Sequence, residues 1–220
     1  MKLTILGSCR QDSLYHMFPV TPIRDSLTYP HYTKEVIQAI EFCQGVSSIP
    51  RELTQSLFRT GILSKQTLEP SWFFEDFFTT DVFVIEIASR IAYLYRGFYA
   101  HHIVTDPHYG FPDPAGVESR ELTDEEIEAD LIRIKELVQR MSKKCMIVSH
   151  IYTRRTGKRY ELVKLLERLC ARHAIPFFDP VEELGPLPGP LYKEEPLLSH
   201  YTEYGHSQIA PHYKKFIESL

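Results

Sequence analysis

The chain has 220 residues, of which 43% are hydrophobic and 25% are charged, and its formal net charge is -4. This composition is typical of a globular protein, and the length favours a single domain over residues 1–220. The mildly acidic balance argues against nucleic acid and membrane surfaces as partners. No apolar run reaches the roughly 20 residues that a membrane span needs. There is also no signal peptide pattern and no C-x-x-C pair, so we expect a cytoplasmic protein with reduced thiols.

The first half of the chain predicts two strands, a helix and a long loop. Residues 2–6 form a short buried strand candidate, and residues 33–44 carry apolar positions at helical spacing before Gly45. The β-branched run "DVFVIEIAS" predicts a second buried strand over residues 81–88. The proline and glycine content of residues 93–121 predicts an irregular loop insertion, which we expect to cover a functional edge.

The second half alternates more clearly between helix and strand. Thr123 and Glu126 form a capping-box pattern that begins a long amphipathic helix. The strand "KKCMIVSHIYT", the helix "RYELVKLLERLCARH", the short strand "IPFFDP" and a last helix interrupted near Pro211 follow. Alternating elements with buried strands predict an α/β fold, a three-layer sandwich with a mostly parallel central sheet.

Polar residues follow three of the predicted strands, and a further cluster precedes the last helix. In open parallel sheets, ligands lie outside the carboxyl ends of the strands. We therefore expect these residues to share one edge of the sheet. They are Ser8, Cys9, Arg10, Ser89, Arg90, His150 and His200, whereas His206 lies inside the last helix and is expected to be solvated.

Cys9 and His200 are the first candidates for nucleophile and base. Covalent catalysis needs a thiol or hydroxyl near a base, together with donors for the developing oxyanion. Backbone N–H groups after Gly7 and the Ser89 side chain are candidates for the donors. Two alternatives stay open: Ser8 is the nucleophile, or Cys9 is a small packing residue at a strand end.

The order of these segments resembles the SGNH, or GDSL-like, hydrolase superfamily. "ILGSC" is similar to its nucleophile block, "VIEIASR" occupies the place of its middle block, and "LLSHYTEYGHSQIA" is similar to its last block. The resemblance puts Cys9 at the nucleophile position, as in the GSCFA family, and Ser89 in place of the oxyanion-hole Asn. It assigns Gly61 to the second glycine block and His200 to the base, while Leu197 replaces the acid.

This resemblance implies a flavodoxin-like fold and an esterase or acyltransferase acting on an acyl group, for example of a carbohydrate, with Cys9, Ser8, His200 and Ser89 as catalytic residues. Because Leu197 replaces the acid, the alternative is a catalytically degenerate binding module with the same pocket. No G-x-G-x-x-G or Walker loop follows a strand, so no nucleotide cofactor is expected.

Several charged residues allow two interpretations. Arg10 and Arg90, with Gly61 and His150, are candidate substrate-binding residues that hold an anion, or the two arginines pair with Glu86 and Asp12. Glu86 is either an ion-pair partner of an arginine or a site carboxylate.

The remaining predictions concern metal and thiol chemistry. His101, His102 and His108, with Asp106, do not match a metal-ligand spacing, so no metal is expected. A helix start, His200 and Arg10 beside Cys9 predict a thiol pKa below its ordinary value.

Overall fold

The computed structural model of the chain describes residues 1–185, 190–193 and 200–220. The strands are β1 Leu3–Leu6, β2 Val82–Ile87, β3 Ile91–Tyr95, β4 Phe98–Tyr99, β5 Val117–Glu121, β6 Lys144–Ser149 and β7 Phe177–Phe178. The α-helices are α1 Ile23–Ser26, α2 Thr33–Cys43, α3 Thr54–Leu57, α4 Arg59–Ser64, α5 Phe74–Phe78, α6 Asp124–Arg140, α7 Lys158–Arg172, α8 Pro180–Leu184 and α9 Glu203–Glu218. Short 3₁₀ helices cover Cys9–His16, Arg51–Leu53, Pro70–Trp72, His102–Thr105, Pro107–Tyr109 and Pro114–Gly116.

The central sheet is parallel and has the strand order β1-β2-β6-β7 within the described residues. Leu6 pairs with Ile85 at the β1–β2 border, and Ile87 pairs with Ser149 at the β2–β6 border. The carboxyl ends of these strands therefore lie side by side. This register brings the residues that follow β1, β2 and β6 to one edge of the sheet.

Apolar side chains alternate between the two faces of the sheet and create two cores. Phe83, Ile85 and Ile87 of β2 pack in one cluster with residues of α2, α6 and α7. Val82 and Val84 of the same strand pack in the other cluster with residues of α8, α9 and the 3₁₀ helix Cys9–His16. Helices thus cover both faces, which confirms the predicted three-layer α/β sandwich.

Two details of the predicted elements are wrong. Residues 93–121 are not irregular throughout, because β4, β3 and β5 form a small antiparallel sheet in that order. β5 pairs with β3 across 21 intervening residues, and its side chains are mostly exposed, so no hydrophobic alternation marked it. The last helix also continues through Pro211, since Ile209, Tyr213 and Ile217 on either side are fully buried against the sheet and hold it in place.

The capping box of α6 is confirmed: Thr123 Oγ accepts the N–H of Glu126, and the Glu126 carboxylate accepts the N–H of Thr123. Among the described helices, none has both the length and the apolar character to cross a lipid bilayer.

Candidate functional site

The turn after β1 is shaped by the close approach of Glu86. A Cβ atom built on Gly7 would lie 2.9 Å from the Glu86 Cβ and 3.2 Å from Glu86 Oε2. Glycine at position 7 therefore makes room for a carboxylate on the neighbouring strand. The next residues turn into a 3₁₀ helix, whose N-cap is Ser8 and whose first residue is Cys9.

Glu86 Oε2 binds Ser8 twice. It accepts the backbone N–H of Ser8 at 2.7 Å and the Ser8 hydroxyl at 2.6 Å. Arg10 Nη1 donates in turn to Ser8 Oγ at 3.0 Å. Ser8 is 5% exposed, and its proton is committed to a carboxylate rather than to an imidazole. This geometry makes Ser8 a structural link between Glu86 and Arg10, and it does not favour Ser8 as a nucleophile.

The second carboxylate oxygen of Glu86 binds His150. His150 Nδ1 lies 2.9 Å from Glu86 Oε1, and both side chains are buried. Burial alone would raise the pKa of Glu86, but the hydrogen bond from His150, the Arg10 charge and the Ser8 hydroxyl together lower it. Burial is also the main effect on His150, and it lowers the pKa of the imidazole. We conclude that a Glu86 carboxylate faces a neutral imidazole at neutral pH.

These protonation states fix the tautomer of His150. A carboxylate can only accept hydrogen bonds, so Nδ1 of His150 carries the proton and donates it to Glu86. Nε2 then has a free lone pair, and it makes no hydrogen bond to another described residue. An imidazole held by a carboxylate in this way is oriented to act as a general base.

His150 borders a cavity of about 480 Å³ at the carboxyl edge of the sheet. The wall is rich in cationic and imidazole side chains, which are Arg10, His31, Arg90, His102, His150, Lys158 and Arg159, and it also contains the Ser89 hydroxyl. Lys158 pairs with Glu121 at 2.9 Å, whereas the exposed Arg159 has no ion-pair partner among the described residues. The cavity therefore suits a polar ligand that carries oxygen acceptors.

Cys9 is exposed at this edge of the sheet, but it is not part of the described cavity wall. Burial of its surroundings raises the pKa of the thiol, and the Arg10 charge offsets this only in part. The predicted lowering of the thiol pKa is therefore wrong, because burial of the thiol outweighs the Arg10 charge, and the carboxylates of Asp12 and Glu86 also oppose the thiolate. Cys145 and Cys170 are buried, as expected of core residues.

His200 lies in the segment that precedes α9, and it is not part of the described cavity wall. Its carbonyl accepts the N–H of Lys193, and no hydrogen bond joins it to Cys9 among the described residues. His206 sits on α9 beside a separate groove that Asp12 and His16 also line. The expected common edge thus contains Ser8, Cys9, Arg10, Ser89, Arg90 and His150, whereas His200 is not in the cavity wall. Leu197 lies outside the described residues.

Two other predicted residues, Ser89 and Arg90, have partners that the sequence did not suggest. Ser89 Oγ accepts the N–H of Ile91 at 2.9 Å, and its side chain borders the cavity. Arg90 donates to the Leu122 carbonyl and to Asp124, so its predicted pairing with Glu86 is wrong.

Gly61 lies in α4 and is absent from the described cavity wall. A Cβ atom there would be 2.6 Å from the Thr54 carbonyl oxygen, so this glycine serves the contact between α3 and α4. Asp12 pairs with Arg24 at 2.7 Å, not with Arg10 as one of the two interpretations had it.

Sequence reasoning missed two features of this edge. The first is the Glu86–His150 pair, for which a charged residue inside a buried strand was the available signal. The second is the proximity of His31 to His101 and His102, with ring centroids 5.1 Å and 4.1 Å away. His31 lies just before Tyr32, the N-cap of α2, and no spacing rule links it to a dipeptide 70 residues later in the chain.

One known protein family matches half of the chain. Residues 1–110 match the family of the TviD N-terminal domain, which is half of the chain. The chain belongs to the TviD N-terminal domain family. The matched half carries Ser8, Cys9, Arg10 and Glu86, and His150 lies beyond it. No curated protein matches the chain at a significant level.

Proposed function

We propose that this TviD-family chain is an enzyme that hydrolyses or transfers an acyl group of a carbohydrate. The observation that carries the proposal is the hydrogen bond of 2.9 Å between Glu86 Oε1 and His150 Nδ1, next to a polar cavity. It supports a general base at the carboxyl edge of the sheet. Membership in the TviD N-terminal domain family supports a polysaccharide as the acyl-bearing substrate.

In the proposed reaction, Cys9 Sγ attacks the acyl carbonyl carbon and forms a tetrahedral intermediate. The thiol proton passes to Nε2 of His150, and Glu86 stabilises the resulting imidazolium. The intermediate collapses when the carbon–oxygen bond to the sugar breaks, and the sugar oxygen takes the proton from His150. Water or a second hydroxyl then attacks the thioester and returns the thiol to Cys9.

A raised thiol pKa makes this base necessary. Since the thiol of Cys9 is protonated at neutral pH, attack requires a group that removes its proton. We prefer His150 to His200 as the base, because Glu86 orients the His150 ring and His150 borders the cavity, whereas His200 is not part of the described cavity wall. Among the described residues, no hydrogen bond joins Cys9 to either imidazole, so the proposed proton transfer requires the thiol to approach His150 when substrate binds.

Two groups support the oxyanion role. Ser89 Oγ accepts a hydrogen bond from Ile91 N–H, so its hydroxyl proton is available to an oxygen in the cavity. Backbone N–H groups at the start of the 3₁₀ helix Cys9–His16 are the second source of donors. Arg10 and Arg159 add positive charge to the same cavity.

A catalytically degenerate binding module is the second candidate. The raised pKa of Cys9 and its missing hydrogen bond to His200 favour this alternative. In that case the cavity binds an acylated carbohydrate without turning it over, and Glu86 and His150 serve only to orient the cavity wall.

Ester cleavage by single variants tests the proposal. We would measure hydrolysis of p-nitrophenyl acetate and of an acetylated oligosaccharide by wild type, Cys9→Ala, His150→Ala and His206→Ala. Loss of the general base lowers the rate by about 10²- to 10⁴-fold. We therefore expect a loss of that size for His150→Ala, a comparable loss for Cys9→Ala, and wild-type rates for the control His206→Ala.

The pattern of rates separates the candidates. An acyl adduct on Cys9 in a Glu86→Gln background, detected by intact mass, would support covalent catalysis. If Cys9→Ala keeps its rate while His150→Ala loses it, His150 activates the attacking hydroxyl directly. If all four proteins show only background rates and still bind the oligosaccharide, the result would support the binding-module alternative.

A further inference from the structure

Three histidines from two distant segments meet beside the cavity. His31 lies just before Tyr32, the N-cap of α2, and His101 and His102 are the N-cap and first residue of a 3₁₀ helix after β4. The ring centroid of His102 lies 4.1 Å from that of His31 and 4.4 Å from that of His101. One nitrogen from each ring lies within 4.8 Å of the other two, a spacing that a single metal ion can span.

Two of these rings have a nitrogen that the protein does not satisfy. Nε2 of His31 and Nδ1 of His102 are buried, and neither has a hydrogen-bond partner. A buried polar atom without a partner is uncommon in folded proteins, since it loses its hydration and gains nothing in return. Both residues border the cavity, so a ligand in the cavity can reach them.

The third ring is held by the backbone. His101 Nε2 lies 3.2 Å from the Tyr29 carbonyl oxygen, so this nitrogen carries the proton and donates it. Nδ1 keeps its lone pair, which accepts only a long hydrogen bond of 3.4 Å from the Ile103 N–H. Histidine ligands of metals commonly donate their other N–H to a backbone carbonyl in the same way, because this fixes the ring.

The protonation state of the cluster suits a metal. Burial lowers the pKa of each of the three imidazoles, and their mutual proximity lowers those of His31 and His101 further. Neutral imidazoles offer the lone pairs that a metal needs, and they form no repulsive cation cluster at neutral pH.

We propose that His31, His101 and His102 form a binding site for Zn²⁺ or a similar divalent transition metal. Three imidazole ligands and one open position are the arrangement of many exchangeable zinc sites. The open position would face the cavity that His150 also borders. Bonds of about 2.0–2.1 Å place tetrahedral ligand nitrogens roughly 3.4 Å apart. Binding therefore requires the three rings to move together by rotation about their side-chain bonds.

This site does not depend on the acyl chemistry proposed above. It uses none of Ser8, Cys9, Glu86 and His150, so the metal test and the ester-cleavage test fail or succeed separately. The alternative is a packed cluster of neutral rings, held together by edge-to-face contacts such as the one between His31 and His101.

Metal titration of the chelator-treated, dialysed full chain tests the proposal. We expect calorimetry with ZnCl₂ to give one ion per chain, and CoCl₂ to give the visible absorption of a four-coordinate nitrogen site. His31→Phe and His102→Phe should each weaken binding at least tenfold. The exposed His108→Phe and the groove residue His206→Phe are matched controls, and both should bind like wild type.

NMR of the wild-type protein tests the proposal even when a variant does not fold. NMR shifts of the imidazole nitrogens should move on addition of Zn²⁺ for His31, His101 and His102 and stay fixed for His108. Binding with a stoichiometry of one that His206→Phe abolishes would place the ion in the α9 groove and overturn the proposal. Absence of stoichiometric binding, with unshifted ring nitrogens, would overturn it as well.

Discussion

Two groups of polar side chains reach the same cavity, one through His150 and the other through His31 and His102, and they differ in how completely their polar atoms are hydrogen-bonded. In the first, which we call the carboxylate network, Glu86 accepts from the Ser8 N–H, the Ser8 hydroxyl and His150 Nδ1. In the second, the histidine cluster of His31, His101 and His102, two ring nitrogens have no partner. The fold accounts for the first group by itself and leaves the second incomplete.

The difference separates polar groups that stabilise the fold from polar groups that await a ligand. A buried charge must be paired with hydrogen bonds, and the carboxylate network meets this condition through residues of β1, β2 and β6. The histidine cluster stays neutral, so it tolerates burial without such partners. We therefore expect substitutions in the first group to affect folding and substitutions in the second to affect binding.

The largest expected effect is that of Glu86→Ala. The variant leaves the Ser8 N–H and His150 Nδ1 without an acceptor, and it removes the negative charge beside Arg10. Breaking a buried pair by removing one partner costs about 3–5 kcal/mol. Urea unfolding at pH 7, followed by circular dichroism, should show a loss of that size.

Glu118→Ala is the matched control, because Glu118 is an exposed glutamate on β5. A surface substitution of this kind changes the free energy of unfolding by no more than about 0.5 kcal/mol. Equal midpoints for Glu86→Ala and Glu118→Ala would mean that the carboxylate network contributes nothing net to stability.

Acid should weaken the carboxylate network next most strongly. The folded pKa of His150 lies below its ordinary value of about 6.5, and that of Glu86 lies below about 4.3. In both cases the unfolded chain binds the proton first, so stability falls as pH decreases. The His150 contribution is lost below about pH 6.5 and the Glu86 contribution below about pH 4. The charges of Arg10 and Arg159 also act on His150, and that of Arg10 acts on Glu86.

Unfolding curves of wild type and Glu86→Gln at pH 7, 5 and 3 separate the two contributions. The variant should retain the loss of stability between pH 7 and 5, which comes from histidine. It should lose less than wild type between pH 5 and 3, because it has no carboxylate at position 86. Parallel pH profiles below pH 5 would show that Glu86 does not titrate with a lowered pKa.

Gly7→Ala should give a smaller but clear loss. The added Cβ would lie 2.9 Å from the Glu86 Cβ, so β1 or Glu86 must move. Overpacking of this kind costs about 1–3 kcal/mol. Gly110→Asn is the control, since Gly110 has φ +57, a conformation that Asn tolerates, and open space around it. A neutral Gly7→Ala would show that the sheet edge adapts to the extra atom.

The main strands and helices could be predicted because their signals are local. The β-branched run that forms β2 and the Thr123–Glu126 capping box both lie within a few residues of the elements they specify. The β3–β5 pairing could not be predicted in this way, because 21 residues separate the two strands and the side chains of β5 are mostly exposed. The low helix propensity of Pro211 predicted a break in the last helix, but packing against the sheet keeps α9 continuous.

The sequence predicted which candidate residues lie at the sheet edge, but not which of them pair with each other. Residues that follow parallel strands were expected at one edge of the sheet. Ser8, Arg10, Ser89 and His150 lie there, because the parallel register aligns the carboxyl ends of β1, β2 and β6. The partner of His150 could not be read from spacing, because Glu86 and His150 are 64 residues apart. The family resemblance assigned the base to His200. No local sequence rule showed that the buried Glu86 orients His150 instead.

The smallest expected change in the free energy of unfolding is that of His102→Phe, and it contrasts with the large change expected for His150→Phe. Nδ1 of His102 has no partner to lose, and a ring of similar shape preserves the contacts with His31 and His101. Replacing an unsatisfied polar group by an apolar one is close to neutral, so urea unfolding of the chelator-treated chain should change by less than about 1 kcal/mol. His150→Phe, which removes a partner of Glu86, should lose several times as much. A large loss for His102→Phe would show that the imidazole makes a stabilising contact in the apo protein, and the distinction between the two groups would fail.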